Sequence, residues 1–203
     1  MDGTPQEPET RRSIGAARNP ESHEAILEAA AAILGEQGYA GFSIEAVARR
    51  AKAGKPTIYR WWPSKAHLLL DVYTRIKQDM VEPDTGTLEG DFREFLTNLL
   101  AFWSGVPGGV FRSLIAEAQT DAKASEALRA YSVDRIRQTA HLIDRAKERG
   151  EVPEEVDSHA GADLLSSYAW KLLLTGRLEG MEREVATVAG IMAHGMVGEK
   201  PGR

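Results

Sequence analysis

Apolar residues in this chain recur at helical spacing, and no stretch alternates with the period of two expected of a half-buried strand. From Glu21 to Gln37, Ile26, Ala30, Ile33 and Leu34 form one stripe, and Gly38 suits the position after a helix end. Ile44, Val47, Ala48 and Ala51 repeat the pattern over a short helix that Ser43 can cap. Lys52-Ala53-Gly54 interrupts it. Pro56 then suits the first turn of another helix, on which Ile58 and Trp62 share a face. Pro63-Ser64 ends that helix, and Ser64 caps a longer one over Lys65 to Val81, with Leu68, Val72, Ile76 and Met80 on one side. Glu82-Pro83-Asp84-Thr85-Gly86 reads as a linker.

The second half continues in the same period. Asp91 to Trp103 carries Phe92, Phe95, Leu96, Leu99, Phe102 and Trp103, and Ser104 to Gly109 breaks it. Val110 to Gln119 is a short helix. Asp121 caps a long helix to about Arg149, with Leu128, Tyr131, Ile136, Ala140, Ile143 and Ala146 inward. Helices over His159 to Thr175 and Met181 to Met196 complete the pattern. The expected fold is all-α with about nine helices. Residues 1–20 are poor in large apolar side chains and are expected to be a disordered arm. Arg11, Arg12 and Arg18 in it suit contact with a minor groove. Residues 21–81 form a first domain and 82–203 a second.

Helix, tight turn and helix over 43–62 is the geometry that lays a second helix in the DNA major groove. Charge supports it. Arg49, Arg50, Lys52, Lys55, Arg60 and Lys65 crowd the window 42–70, where Glu45 is the sole acidic residue. The nine residues Thr57-Ile58-Tyr59-Arg60-Trp61-Trp62-Pro63-Ser64-Lys65 resemble the string that closes the helix-turn-helix of TetR-type transcriptional regulators. The resemblance runs from about Ser22 to Val81. Two positions depart from it: Lys52 stands where the family often has glycine, and Gly54 where it often has a hydroxyl cap. The resemblance implies a DNA-binding first domain and a second domain that binds a ligand and dimerises. It implies that Lys55, Pro56, Thr57 and Tyr59 face bases and nearby phosphates, and that Ser43, Tyr59, Trp61 and Lys65 face phosphates. Arg60 adds charge on the same helix. Thr57 suits a thymine methyl or a base edge, and Lys55 suits guanine O6 or N7.

Composition narrows the alternatives. The 203 residues carry a net charge of −5, so DNA contact must come from a local patch. There is no cysteine, which excludes disulfides, thiolate zinc sites and thiol catalysis. No apolar run approaches the ~20 residues that span a bilayer, and no apolar leader stands at the N-terminus, so a cytoplasmic location is expected. His23, His67, His141, His159 and His194 show no metal-ligand spacing; no metal, cofactor or enzymatic activity is expected.

In the second half, Phe95, Phe102, Trp103, Phe111, Tyr131 and Tyr168, with Arg135 as a polar anchor, are the candidate walls of a small-molecule pocket; plain core packing is the competing reading. Pro107-Gly108-Gly109 suits a hinge beside it. Wide apolar faces on the last two helices, marked by Leu165, Tyr168, Leu172, Val185, Val188 and Met192, suit a four-helix homodimer interface. The expected function is a dimeric, sequence-specific DNA-binding regulator, a repressor released from its operator by a small-molecule effector. The alternative is a helical carrier or interaction module without a specific operator.

Overall fold

A computed structural model describes residues 20–77 and 81–196. The expected arm with Arg11, Arg12 and Arg18, the position of Met80, and the tail from 197 lie outside the described residues. Among the described residues there are nine helices and no strand: α1 (Pro20–Gly41), α2 (Ile44–Arg50), α3 (Lys55–Trp61), α4 (Lys65–Lys77), α5 (Leu88–Ser104), α6 (Val106–Ala118), α7 (Ala122–Glu148), α8 (Ser158–Leu174) and α9 (Glu182–Met196). No single one of them is long and apolar enough to cross a membrane.

Two apolar cores organise the chain. The first joins α1 to α4 through Ile26, Ile33, Val47, Ile58, Trp62, Leu68 and Val72. The second joins α4 to α9 through Tyr73, Phe92, Leu96, Phe111, Leu142, Ile143, Leu165, Leu172 and Val185. α4 contributes to both, and α6 sends Val110 back into the first. The long helix α7 is the spine of the second core, with α4, α6 and α8 packed along it, while α9 packs chiefly on α5.

Side-chain caps fix most of the starts. Ser43, Thr87 and Asp121 each accept a hydrogen bond from a backbone N–H three residues on, and Asp157 accepts from His159 and Ala160. Thr87 moves the start of α5 ahead of Asp91. Asp91 is instead fully buried inside the first turn, where it accepts from the Thr85 backbone N–H at 2.7 Å and the Thr85 hydroxyl at 2.9 Å, and lies 3.3 Å from the Arg149 guanidinium. This network pins the linker to α5 and α7. The helix expected to reach Val81 is described to Lys77, and Val81 itself is non-helical and exposed.

The expected hinge at Gly108-Gly109 is not one. α5 gives way at Gly105, α6 begins at Val106, and both glycines are helical. The two helices meet at 87°. Gly108 is required because a Cβ there would stand 1.9 Å from the Trp103 carbonyl oxygen, backbone that cannot yield. Gly108→Ala is expected to lower the unfolding free energy by about 3 kcal/mol, the scale of severe overpacking. Urea unfolding followed by far-UV circular dichroism checks it.

Candidate functional site

The helix-turn-helix is built by local rules. α2 starts at Ser43, whose hydroxyl oxygen accepts from the Ala46 N–H at 3.1 Å. It ends in a Schellman motif: the Ala53 N–H donates to the Ala48 carbonyl at 2.9 Å and the Lys52 N–H to the Arg49 carbonyl at 3.4 Å. That motif requires a left-handed residue, and Lys52 takes it with φ of 50°, the one non-glycine with positive φ among the described residues. α3 follows with Gly54 as its N-cap and Pro56 in its first turn. The Trp62 indole N–H donates to Asp71 of α4 at 2.9 Å, and its ring stacks on His23 of α1 at 4.7 Å. α3 is therefore held from both sides while its outer face stays exposed.

That outer face carries most of the expected contacts. Lys55, Pro56, Tyr59 and Arg60 are exposed, Tyr59 by 49%, and Thr57 is half-buried beside them. The Ser43 hydroxyl, accepting inward, keeps its hydrogen to donate outward. Lys55 is ion-paired with Glu45 of α2, which raises the lysine and lowers the carboxyl. Arg50 grips Glu36 of α1 with two hydrogen bonds of 2.6 and 2.7 Å. Arg49 and Lys52 are exposed with no ion pair among the described residues.

Two residues expected to face phosphates also have partners within the chain. Trp61 is half-buried, its ring edge-on to His23 at 4.6 Å, because α1 packs across that side of α3. Lys65 turns away from α3: its ammonium lies 3.1 Å from Glu117 of α6 and 4.4 Å above the Tyr39 ring. Burial pushes Lys65 down and Glu117 up, with Asp121 adding repulsion to Glu117. Lys65 thus ties the first core to α6. His23, wedged between Trp61 and Trp62, carried no signal in the sequence.

Comparison with known proteins agrees with this geometry. Residues 26–72 match the family "Bacterial regulatory proteins, tetR family", and residues 82–191 match "Tetracyclin repressor-like, C-terminal domain". The chain belongs to the TetR family of DNA-binding transcriptional regulators. It is 34% identical to the helix-turn-helix transcriptional regulator YdeS of Bacillus subtilis, over 80% of this chain and 83% of that protein. It is 32% identical to the DNA-binding transcriptional repressor TetR of Mycobacteroides abscessus, over 80% of this chain and 88% of that one. The crystal structure of the TetR family transcription regulator SCO0332 superposes with a TM-score of 0.76 at 31% identity, covering 88% of this chain and all of the other.

The second domain of this TetR-family chain holds a cavity of about 150 Å³ between α4, the linker, α5 and α7. Its walls include Lys77, Glu82, Phe95, Asn98, Arg135, Gln138 and Thr139. A smaller recess of about 30 Å³ shares Lys77, Phe95, Arg135 and Thr139 and adds Trp103, Phe111, Tyr131 and Trp170. Of the expected pocket residues, Phe95, Trp103, Phe111, Tyr131 and Arg135 are therefore brought together. Phe102 and Tyr168 are not. Phe102 packs edge-on against Tyr73 at 5.5 Å, and the Tyr168 hydroxyl donates to Glu184 at 3.0 Å on the far side of α8. Lys77 was missed, although its signal was present: Ala66, Leu70, Tyr73 and Lys77 follow at i, i+4, i+7 and i+11, so the lysine ends an inward stripe. Burial pushes the Lys77 ammonium down to about 8, and the Arg135 charge adds to the shift.

The dimer-interface residues divide in the same way. Leu165, Leu172 and Val185 are spent on the chain's own core, so they are unavailable to a partner. Tyr168, Val188 and Met192 remain half-exposed. The expected set mixes inward and half-exposed positions, and the more exposed apolar residues of these helices include Leu164 at 63% and Ile191 at 67%.

Two outcomes follow. Lys52→Gly relieves a left-handed lysine and is expected to stabilise the chain by roughly 1 kcal/mol, read by urea unfolding. For Lys77 the folded value of about 8 lies below the ordinary 10.5. Between those values the unfolded chain holds a proton that the folded one has released, so stability rises with pH from about 8 towards 10.5. Unfolding free energies of wild type and Lys77→Met, compared between pH 7 and 10, are expected to converge by roughly 2–3 kcal/mol as the wild type sheds its cost.

Proposed function

We propose that this regulator acts as a homodimeric repressor in the cytoplasm, released from a two-fold operator when a small molecule enters the α4–α5–α7 cavity. One observation supports the coupling best. α4 begins beside the recognition helix α3 and ends with Lys77 in the cavity wall, thirteen residues that span about 20 Å. A ligand that favours one arrangement of the α4 end favours one placement of the heads. Repression is supported by the printed function of the Mycobacteroides abscessus relative. Dimerisation is supported by the outer face of α8 and α9. Gly161 lies against Met196, and Tyr168 bonds Glu184, so the helices run antiparallel with Leu164 level with Ile191. Those two with Tyr168 and Val188 form an apolar patch that a second copy would cover isologously.

Base and phosphate contacts are assigned to Ser43, Lys55, Pro56, Thr57, Tyr59 and Arg60, with Arg49 and Lys52 as further phosphate partners. Fluorescence anisotropy with DNA fragments flanking the protein's own gene, at two salt concentrations, tests the reading. Tight binding to one palindromic fragment is expected. Tyr59→Ala should weaken it at least about tenfold, and Lys52→Ala should reduce the salt slope by about one. Leu164→Arg with Ile191→Arg should be monomeric by light scattering and should lose the fragment. Equal binding to every fragment would favour the carrier or interaction reading instead.

A further inference from the structure

Lys77 and Arg135 face the same cavity from α4 and α7, and neither has a full counter-charge there. The acidic groups nearby are already engaged. Glu82 lies 3.3 Å from Arg145. Asp134 is 3.3 Å from Arg135 but also bonds Arg137 and accepts from Gln138 at 2.9 Å. The Arg135 Nε is buried and has no hydrogen-bond partner among the described residues, and Lys77 has no ion pair among them. Two cations sharing a half-open recess repel, and each loses part of its hydration. Such an arrangement is costly in the empty protein and becomes favourable when an anion enters.

The rest of the cavity specifies what carries that anion. Phe95, Trp103, Phe111, Tyr131 and Trp170 give flat apolar walls beside the cations. Asn98 and Thr139 add neutral polar groups. A volume of about 150 Å³ is the size of cavity that takes a benzene ring. We propose that the effector of this regulator is an aromatic or similarly flat anion, its carboxylate or equivalent acid group held between Lys77 and Arg135 and its apolar body against Phe95 and the aromatic recess. This rests on the reading of the cavity as the effector site. It adds the chemical class, which the family assignment does not supply.

Isothermal titration calorimetry on the purified full-length protein, without DNA, tests it with benzoate, 2-naphthoate and biphenyl-4-carboxylate, each against the corresponding neutral amide. At least one carboxylate is expected to bind about tenfold or more tighter than its amide. Lys77→Met and Arg135→Gln should each erase that preference while leaving amide binding intact and the melting temperature no lower than that of the wild type. Equal affinity for acid and amide, no binding by any of the six, or a preference that survives both substitutions would overturn the anion site. The same carboxylates are then added to the protein–operator complex in the anisotropy assay. A carboxylate that binds selectively yet leaves the operator complex intact supports the anion site and refutes release by this ligand, so the two readings fail separately.

Discussion

α4 must satisfy two apolar cores at once, and the rest of the structure depends on that constraint. A helix of 3.6 residues per turn can present two stripes. Leu68, Leu69 and Val72 face the first core, and Ala66, Leu70 and Tyr73 face the second. Neither core is complete without α4. Rotating the helix by one residue would withdraw apolar surface from both, so its position is over-determined. Its two ends meet charge differently. Lys65 meets Glu117 at one end, and Lys77 faces Arg135 at the other. The first contact is attractive and the second repulsive, so what happens at the cavity end is unfavourable until something else enters.

The recognition helix gains its definition from neighbours rather than from its own length. Seven residues are too few to hold a helix in water. α3 is kept by Ile58 in the core, by Trp62 reaching Asp71, and by the Trp61–His23–Trp62 stack against α1. The turn before it carries strain at Lys52, tolerated because the Schellman hydrogen bonds and the packing on either side over-determine the backbone. The hydroxyl cap absent at Gly54 is a small loss, since glycine is itself an acceptable N-cap.

Much of this was legible in the sequence because it rests on local rules. Periodicity, the caps at Ser43 and Asp121, and the run from Thr57 to Lys65 located the helices and the DNA-facing helix. Errors arose where a residue's fate depends on a distant partner. The Lys65 reading could not include Glu117, 52 positions later, which stands beside it. Gly108 looked like a hinge because a glycine pair cannot reveal that Trp103 backbone presses on it. Asp91 looked like the first residue of a helix, and is a buried hub only because Thr85 and Arg149 meet it. For α8 and α9 the apolar stripe was read correctly but assigned to the wrong neighbour. The widest stripe of an outer helix fills its own core first, and what stays exposed is smaller, here Leu164 and Ile191.

The charge pattern explains how an acidic chain can present a DNA-binding face without binding every duplex. Several cations of the first domain are already occupied: Lys55 by Glu45 and Arg50 by Glu36. Both pairs are solvent-exposed, and such pairs are weak and yield readily to screening or to a stronger partner. A row of phosphates at the right spacing is a stronger partner, because several contacts form together and counterions are released. An isolated phosphate, or a duplex that the head does not fit, offers fewer contacts for the same internal pairs broken. Glu45 and Glu36 therefore act against loose electrostatic binding, and the exchange favours the complex only when α3 is seated well enough for many contacts to form together. Specificity in this head comes from what the cations give up as well as from what the recognition helix touches.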